Sequence, residues 1–131
     1  MATLLDAQAL IAFAADEPAA QRVEDILRAR DSATTAVNLA EVVQKLLRRG
    51  ADESRVRAVL EPLGLTIVQV DVALGWRAGV LRARHYDSRK CRLSLADCCL
   101  VAAATSKDEV VTGDRALAEM ARAEGLEVVE L

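Results

Sequence analysis

Short β-prone runs alternate with helical segments along the whole sequence, and this alternation restricts the fold more than any other feature. Five runs are predicted to be strands because they are short, apolar and bounded by turn residues or helix caps. They cover residues 2–6, 32–36, 65–70, 109–112 and 126–131. The run 65–70, "LTIVQV", is the clearest because it is rich in β-branched residues. Strands that alternate with helices predict an α/β fold, with a parallel sheet covered by helices on both faces.

Between the strands, the spacing of apolar residues predicts helices. Pro18 suits the first turn of one of them, and Asp52, Asp71 and Ser94 are the expected N-caps of three others. The predicted helices cover residues 7–16, 18–30, 38–50, 53–63, 72–84, 95–104 and 114–125. With 131 residues, the chain has the length of one domain, which we expect to span residues 1–131.

The composition excludes several classes of protein. No apolar run reaches the ~18 residues that cross a bilayer, and no signal peptide opens the sequence, so we expect a cytoplasmic protein without membrane contact. A net charge of −3 argues against a partner held by bulk positive charge. Cys91, Cys98 and Cys99 lack the spacing of a zinc site, and we expect them to be small apolar side chains in a reducing compartment.

Four acidic residues lie where a solvent-exposed position is not expected. Asp6 follows the first strand, Glu41 lies among apolar residues, Asp97 lies in the apolar run "LSLADCCLVAAA", and Asp114 follows the fourth strand. Each has an ordinary structural explanation. Asp6 and Asp114 could cap helices, Asp97 could form a capping box with Ser94, and Glu41 could face solvent.

Taken together, the four acids predict a metal site. If strands 1 and 4 are neighbours where the strand order reverses, Asp6 and Asp114 leave the sheet side by side, and the helices that carry Glu41 and Asp97 begin at the same edge. At about 4 Å, a pair of like charges costs about 4 kcal/mol at an effective dielectric of 20, which a divalent cation would offset. An all-oxygen ligand set favours Mg²⁺ or Mn²⁺ over zinc. Such an ion suits the attack of water on a phosphodiester.

A basic segment leads into the helix of Asp97. Residues 82–92, "RARHYDSRKCR", contain five arginine or lysine residues. We expect Arg89, Lys90 and Arg92 to hold the backbone of a polyanion, with Tyr86 able to stack on a base. The alternative is a solvated helix end and loop, and we expect His85, the only histidine, to lie on the surface of that loop.

The segments that carry the four acids resemble the acidic motifs of PIN-domain ribonucleases, specifically VapC-type toxins of bacterial toxin–antitoxin pairs. They are "LLDAQALIAF", "NLAEVVQKL", "LSLADCCLVAAA" and "VVTGDRALAEMA". The resemblance implies a three-layer α/β/α fold of about five parallel strands with strand 1 central. It implies an endoribonuclease that depends on Mg²⁺ or Mn²⁺ and has Asp6, Glu41, Asp97 and Asp114 as its catalytic and metal-binding quartet. Asp6 and Asp97 would be the firmest ligands, and Thr112 would help to place a metal-bound water.

The same resemblance implies the partners. They are an RNA substrate and a cognate VapB-like antitoxin, which wraps the helices and inserts a basic or bulky side chain into the acidic cleft. Members of the family commonly form homodimers, so we expect a homodimer or a heteromer with the antitoxin.

Three alternatives remain at this point. The chain could be a PIN-domain nuclease of RNA processing that has no antitoxin, or a PIN-like domain that binds without cutting, although all four acids are present. A phospho-accepting receiver domain also has an acidic Mg²⁺ pocket. That family, however, has paired acids after strand 1 and a lysine after the last strand, and this sequence has neither.

Overall fold

The computed structural model describes residues 1–131, and its centre is a five-stranded sheet in which all paired strands are parallel. The spatial order is β3-β2-β1-β4-β5. The strands are β1 (Thr3–Leu5), β2 (Ser32–Thr35), β3 (Thr66–Val68), β4 (Glu109–Thr112) and β5 (Glu127–Glu130). The expected five-stranded parallel sheet with strand 1 in the centre is therefore confirmed.

Seven α-helices connect the strands. They are α1 (Ala7–Ala14), α2 (Ala20–Ala29), α3 (Ala36–Arg48), α4 (Glu53–Leu60), α5 (Val72–His85), α6 (Leu95–Ala103) and α7 (Arg115–Ala123). A 3₁₀ turn, Glu61–Leu63, follows α4. The predicted N-caps are present, because the side chains of Asp52, Asp71 and Ser94 accept hydrogen bonds from the backbone of α4, α5 and α6. No helix has the length and hydropathy needed to cross a membrane.

Two apolar cores form because successive strand residues point to opposite faces of the sheet. Leu4 and Val110 contribute to one core, whereas their neighbours Leu5 and Val111 contribute to the other. The first core includes residues of α5, α6 and α7, and the second includes residues of α1 to α4. This division confirms the three-layer α/β/α architecture. Cys98 and Cys99 are buried and unpaired, as expected, whereas Cys91 is only partly buried.

The order of the strands reverses at β1. The chain builds outward from β1 through β2 to β3 on one side, and β4 pairs with the opposite edge of β1, with Leu5 beside Val111. The carboxyl ends of β1 and β4 therefore lie next to each other. In an open parallel sheet this is the place where a ligand-binding crevice forms.

Several predicted element boundaries differ from the structure by a few residues, and two of these differences overturn specific predictions. The run 65–70 is not the clearest strand, because only Thr66–Val68 is extended and paired. This strand lies at the sheet edge, where it pairs only with β2 and leaves Ile67 37% exposed. Pro18 is not in the first turn of α2, because that helix begins at Ala20 and Pro18 lies in the preceding turn.

Candidate active site

Asp6 is the most buried of the four acids, with 2% of its surface exposed. It follows β1 directly and caps α1, since its Oδ1 accepts a hydrogen bond from the backbone N–H of Ala9 at 2.8 Å. Its Oδ2 accepts a bond from the hydroxyl of Thr112. Burial raises the pKa of Asp6 to about 6, and the charges of Asp97 and Asp114 act in the same direction. The carboxylate is thus fixed in position in surroundings that disfavour its charge.

Thr112 and Asp114 extend this arrangement from β1 to β4. The buried hydroxyl of Thr112, the last residue of β4, donates to Asp6 and accepts a bond from the backbone N–H of Asp114 at 2.9 Å. Asp114 caps α7, because its Oδ1 accepts from Ala116 at 2.8 Å and from Leu117 at 3.2 Å. The hydroxyl of Thr112 therefore links Asp6 after β1 to the backbone of Asp114 after β4.

Asp97 is held by a capping box at the start of α6. Its Oδ2 accepts from the backbone N–H of Ser94 at 2.9 Å, while its own N–H donates to Ser94 Oγ at 3.0 Å. Burial raises the pKa of Asp97, and the charges of Asp114 and Glu41 raise it further. Mutual repulsion among the acids is thus a property of the folded chain.

Glu41 reaches the same place from the second turn of α3. Its Oε1 accepts a hydrogen bond from Lys45 Nζ at 2.8 Å, and 30% of its side chain is exposed. The four acids, which the sequence places far apart, line one cavity of about 210 Å³ at the reversal point of the sheet. The other lining residues are Ala7, Gln8, Lys45, Arg92 and Ser94.

The basic segment contributes only one side chain to this cavity. Arg92 lines it, whereas Arg89 and Lys90 lie in a turn whose backbone N–H groups donate to Asp87. Contrary to the expectation from the sequence, His85 is not part of the loop but the last residue of α5, and it is partly buried, with its Nε2 2.7 Å from Glu124 Oε2. The ring of Tyr86 lies 4.4 Å from the guanidinium carbon of Arg82.

Sequence reasoning missed Lys45 and Gln8. Lys45 follows Glu41 by four residues, a spacing that usually marks an ion pair on a solvated helix face. Only the fold shows that this pair borders the carboxylates.

The donor chemistry of the cavity fits a hard divalent cation. Glu41 Oε1, Asp97 Oδ2 and Asp114 Oδ1 accept the protein hydrogen bonds, so that each of these carboxylates keeps its second oxygen for a ligand. Oxygen is the ligand type that Mg²⁺ and Mn²⁺ prefer. No three acidic, histidine or cysteine side chains are already gathered at coordination spacing. A cation bound between the carboxylates would offset their repulsion and favour their closer approach.

A family comparison agrees with this geometry. The family model of the PIN domain, which describes the sequences of that family, matches residues 3–123 of this chain. The chain belongs to the PIN-domain family. PIN domains are nucleases as a family and generally use divalent metal ions. This membership excludes the receiver-domain alternative.

Solved structures share this PIN fold at low sequence identity. VapBC2 from Rickettsia felis, bound to a DNA fragment from its promoter, is 16% identical with a TM-score of 0.71, over 100% of this chain and 99% of that chain. A toxin–antitoxin complex from Klebsiella pneumoniae is 21% identical with a TM-score of 0.66, over 86% of each chain. FitAcB from Neisseria gonorrhoeae is 19% identical with a TM-score of 0.66, over 98% of this chain and 96% of that chain. A search of curated proteins finds no match.

Proposed function

We propose that the chain is an endoribonuclease that depends on Mg²⁺ or Mn²⁺ and acts as the toxin of a toxin–antitoxin pair. The observation that carries the nuclease proposal is the cavity at the carboxyl ends of β1 and β4, which is lined by Asp6, Glu41, Asp97 and Asp114 in a PIN domain. Carboxylates repel a phosphodiester, so acids gathered at one point suit RNA hydrolysis only together with a cation.

The four acids would hold the ion, which when bound lowers the pKa of water and stabilises the charge that develops on the phosphate. Asp6 is rigid because both of its oxygens accept hydrogen bonds. Asp97, Asp114 and Glu41 would contribute their free oxygens. Thr112 positions Asp6 and Asp114 relative to each other through the two hydrogen bonds of its hydroxyl.

Positively charged side chains at the rim of the cavity would orient the substrate. Arg92 lines the cavity from the segment that precedes α6, and Lys45 lines it from α3. A guanidinium group can bind a phosphate with two parallel hydrogen bonds. Arg92 is therefore our candidate for binding the RNA backbone next to the carboxylates, and Arg89 and Lys90 would act only on more distant phosphates.

The toxin role is supported by the solved relatives, which include a VapBC2 assembly and a toxin–antitoxin complex. We propose that a VapB-like antitoxin binds this chain and blocks the acidic cavity, and that the free chain forms a homodimer. The free cysteines are compatible with the reducing conditions of the cytoplasm. An RNA-processing nuclease would have the same cavity. The two proposals are distinguished by whether an antitoxin binds and inhibits the chain.

The nuclease proposal is tested by incubating the purified chain with structured and single-stranded RNAs, with Mg²⁺ or with EDTA, and mapping the cut positions. We expect cleavage only with the metal, and we expect Asp97→Asn to reduce it by about 10²–10³-fold, the scale seen when an electrostatic group is removed from an active site. Asp25→Asn, which changes an exposed acid on α2, is the matched control. Full activity of Asp97→Asn would refute the site assignment.

The toxin proposal is tested separately by co-expressing the chain with the product of any small gene that adjoins its own. A stable complex in which cleavage is inhibited, together with growth arrest when the chain is expressed alone, is the expected result. If the chain cleaves RNA but causes no growth arrest, and no neighbouring gene product inhibits it, the RNA-processing alternative is favoured.

A further inference from the structure

We infer that Lys45, Arg49 and Gln8 form a subsite for a backbone phosphate of the RNA strand beside the acidic cavity. This inference rests on the proposed nuclease function and adds to it the direction in which the strand leaves the carboxylates. Arg49 lies outside the acidic motifs and the basic segment 82–92, whereas Lys45 and Gln8 lie within two of the motif segments but are not among the four acids.

Two cavities adjoin at this point. The second has a volume of about 350 Å³, and Gln8 and Lys45 line both it and the acidic cavity. The second cavity is also lined by Arg49 and by Gly113, which precedes Asp114. A continuous groove therefore leads away from the carboxylates along α3.

The polarity of this groove changes along one face of α3. Glu41 and Lys45 in α3 and Arg49, the C-cap residue that follows it, are four residues apart, a spacing that places successive side chains about 5–6 Å from one another on the same helix face. The face is acidic at Glu41, inside the proposed metal site, and basic at the next two positions. A chain of phosphates that has one member at the carboxylates therefore meets positive charge one and two helical turns further on.

Both basic groups can exchange their present partners for a phosphate. Lys45 Nζ is 2.8 Å from Glu41 and Arg49 Nη1 is 2.9 Å from Glu17, while the two basic side chains are 43% and 53% exposed. Exposed ion pairs of this kind contribute little to stability, so exchanging the partner costs little. Arginine binds a phosphate more strongly than lysine does, because two of its N–H groups can reach two phosphate oxygens. Gln8, which is exposed, has an amide that can donate to a phosphate or ribose oxygen.

The test measures the binding of a short fluorescein-labelled single-stranded oligoribonucleotide of mixed sequence by anisotropy. It is performed in the Asp97→Asn protein with Mg²⁺ and repeated between 50 and 200 mM salt, a range over which the affinity due to phosphate contacts falls steeply. One lost phosphate contact reduces the slope of log K against log salt by about 0.7 for a single strand, which is about a fourfold loss of affinity at 0.15 M salt. We expect this effect from Arg49→Gln.

Arg48→Gln is the matched control, because it changes the same charge on the neighbouring exposed residue of α3, which lines neither cavity. Glu17→Gln is the second control. It breaks the same ion pair as Arg49→Gln but removes a negative charge from the groove, so it is expected to strengthen binding. A purely structural role of the pair would make both variants bind more weakly.

The subsite inference is wrong if Arg49→Gln and Arg48→Gln change the slope equally, or if Glu17→Gln weakens binding as Arg49→Gln does. If the wild-type chain cuts RNA and one of these results is found, only the subsite fails. If the wild-type chain cuts no RNA with Mg²⁺ or Mn²⁺, the proposed function fails and the subsite fails with it.

Discussion

Asp6 combines two roles that sequence reasoning treats as alternatives. Its Oδ1 caps α1, and its carboxylate lines the acidic cavity. Capping stabilises the charged form of a carboxylate, but burial has the larger effect and raises the pKa to about 6. The charged side chain is therefore a source of instability that the protein retains, which is typical of a functional group.

This reasoning predicts the effect of Asp6→Asn on stability in EDTA. A folded-state pKa of about 6 against the ordinary 3.8 corresponds to at most about 3 kcal/mol. Because the pKa is raised, ionised Asp6 destabilises the fold above pH 6, and protonation removes the penalty as the pH falls toward 4. We expect Asp6→Asn to be more stable than the wild type at pH 8, and the difference to shrink by pH 5. Denaturant unfolding at several pH values measures it.

Asp52→Asn is the control for this pH series. Hydrogen bonds from the backbone of Arg55 and from Ser54 lower the pKa of Asp52, so this acid stays ionised throughout pH 5–8. Its variant is expected to show no pH-dependent difference from the wild type. A constant difference for Asp6→Asn over the same range would contradict the raised pKa of Asp6.

The sequence indicates the acids of the cavity but not all of its other members. Asp97 is conspicuous because it interrupts an apolar run, and Asp6 and Asp114 because each follows a strand. Lys45 carries no such signal, since a glutamate followed four residues later by a lysine is common on solvated helices. The positions of the side chains in the basic segment depend on the turn between Asp87 and Cys91. Hydrophobic periodicity does not reveal this turn.

At the scale of single elements, α6 shows how local sequence sets the position of an acid. Ser94 and Asp97 exchange hydrogen bonds across the first turn, and the apolar residues that follow anchor the helix in the core. The cap therefore fixes the carboxylate before any ligand binds. Sequence alone is sufficient here, because a capping box depends on residues only three positions apart.

We predict that Ser94→Ala lowers both stability and activity. Loss of an N-cap hydroxyl costs about 1 kcal/mol, and a frayed first turn also releases the carboxylate of Asp97. Chemical denaturation and RNA cleavage at a temperature where the variant is folded measure the two effects. Asp52→Ala removes a comparable cap from α4, at a residue that does not line the acidic cavity, and is expected to lower stability alone. Equal activity of the two variants would show that the cap does not position Asp97.

Strand β3 shows the opposite limit of sequence reasoning. Its β-branched residues indicate a strand, but the length and burial of a strand depend on its neighbours in the sheet. β3 pairs with β2 alone, so three residues suffice and Ile67 remains partly exposed. Strand order is a non-local property that propensity does not encode, whereas the alternation of strands and helices already predicts the parallel sheet.

For the whole molecule, the reversal of strand order at β1 concentrates negative charge at one edge of the sheet. Asp6 and Asp97 both have raised pKa values, and the other acids of the cavity contribute to the shifts. A ligand that binds only the folded state stabilises it by RT ln(1 + [L]/Kd), about 2.7 kcal/mol at a hundred times Kd. A cation that relieves this repulsion is therefore expected to stabilise the entire domain.

We predict that the Tm of the wild-type chain rises with Mg²⁺ concentration, by several degrees at a hundred times Kd. NaCl at matched ionic strength serves as the control for general screening. In EDTA, Asp97→Asn is expected to melt above the wild type because one charge of the repelling group is gone, and to gain little from Mg²⁺. Calorimetry of both proteins, in EDTA and in Mg²⁺, measures the two melting temperatures under each condition. A Tm that responds equally to Mg²⁺ in both would mean that the ion binds elsewhere, because only a site that includes Asp97 makes the two proteins differ.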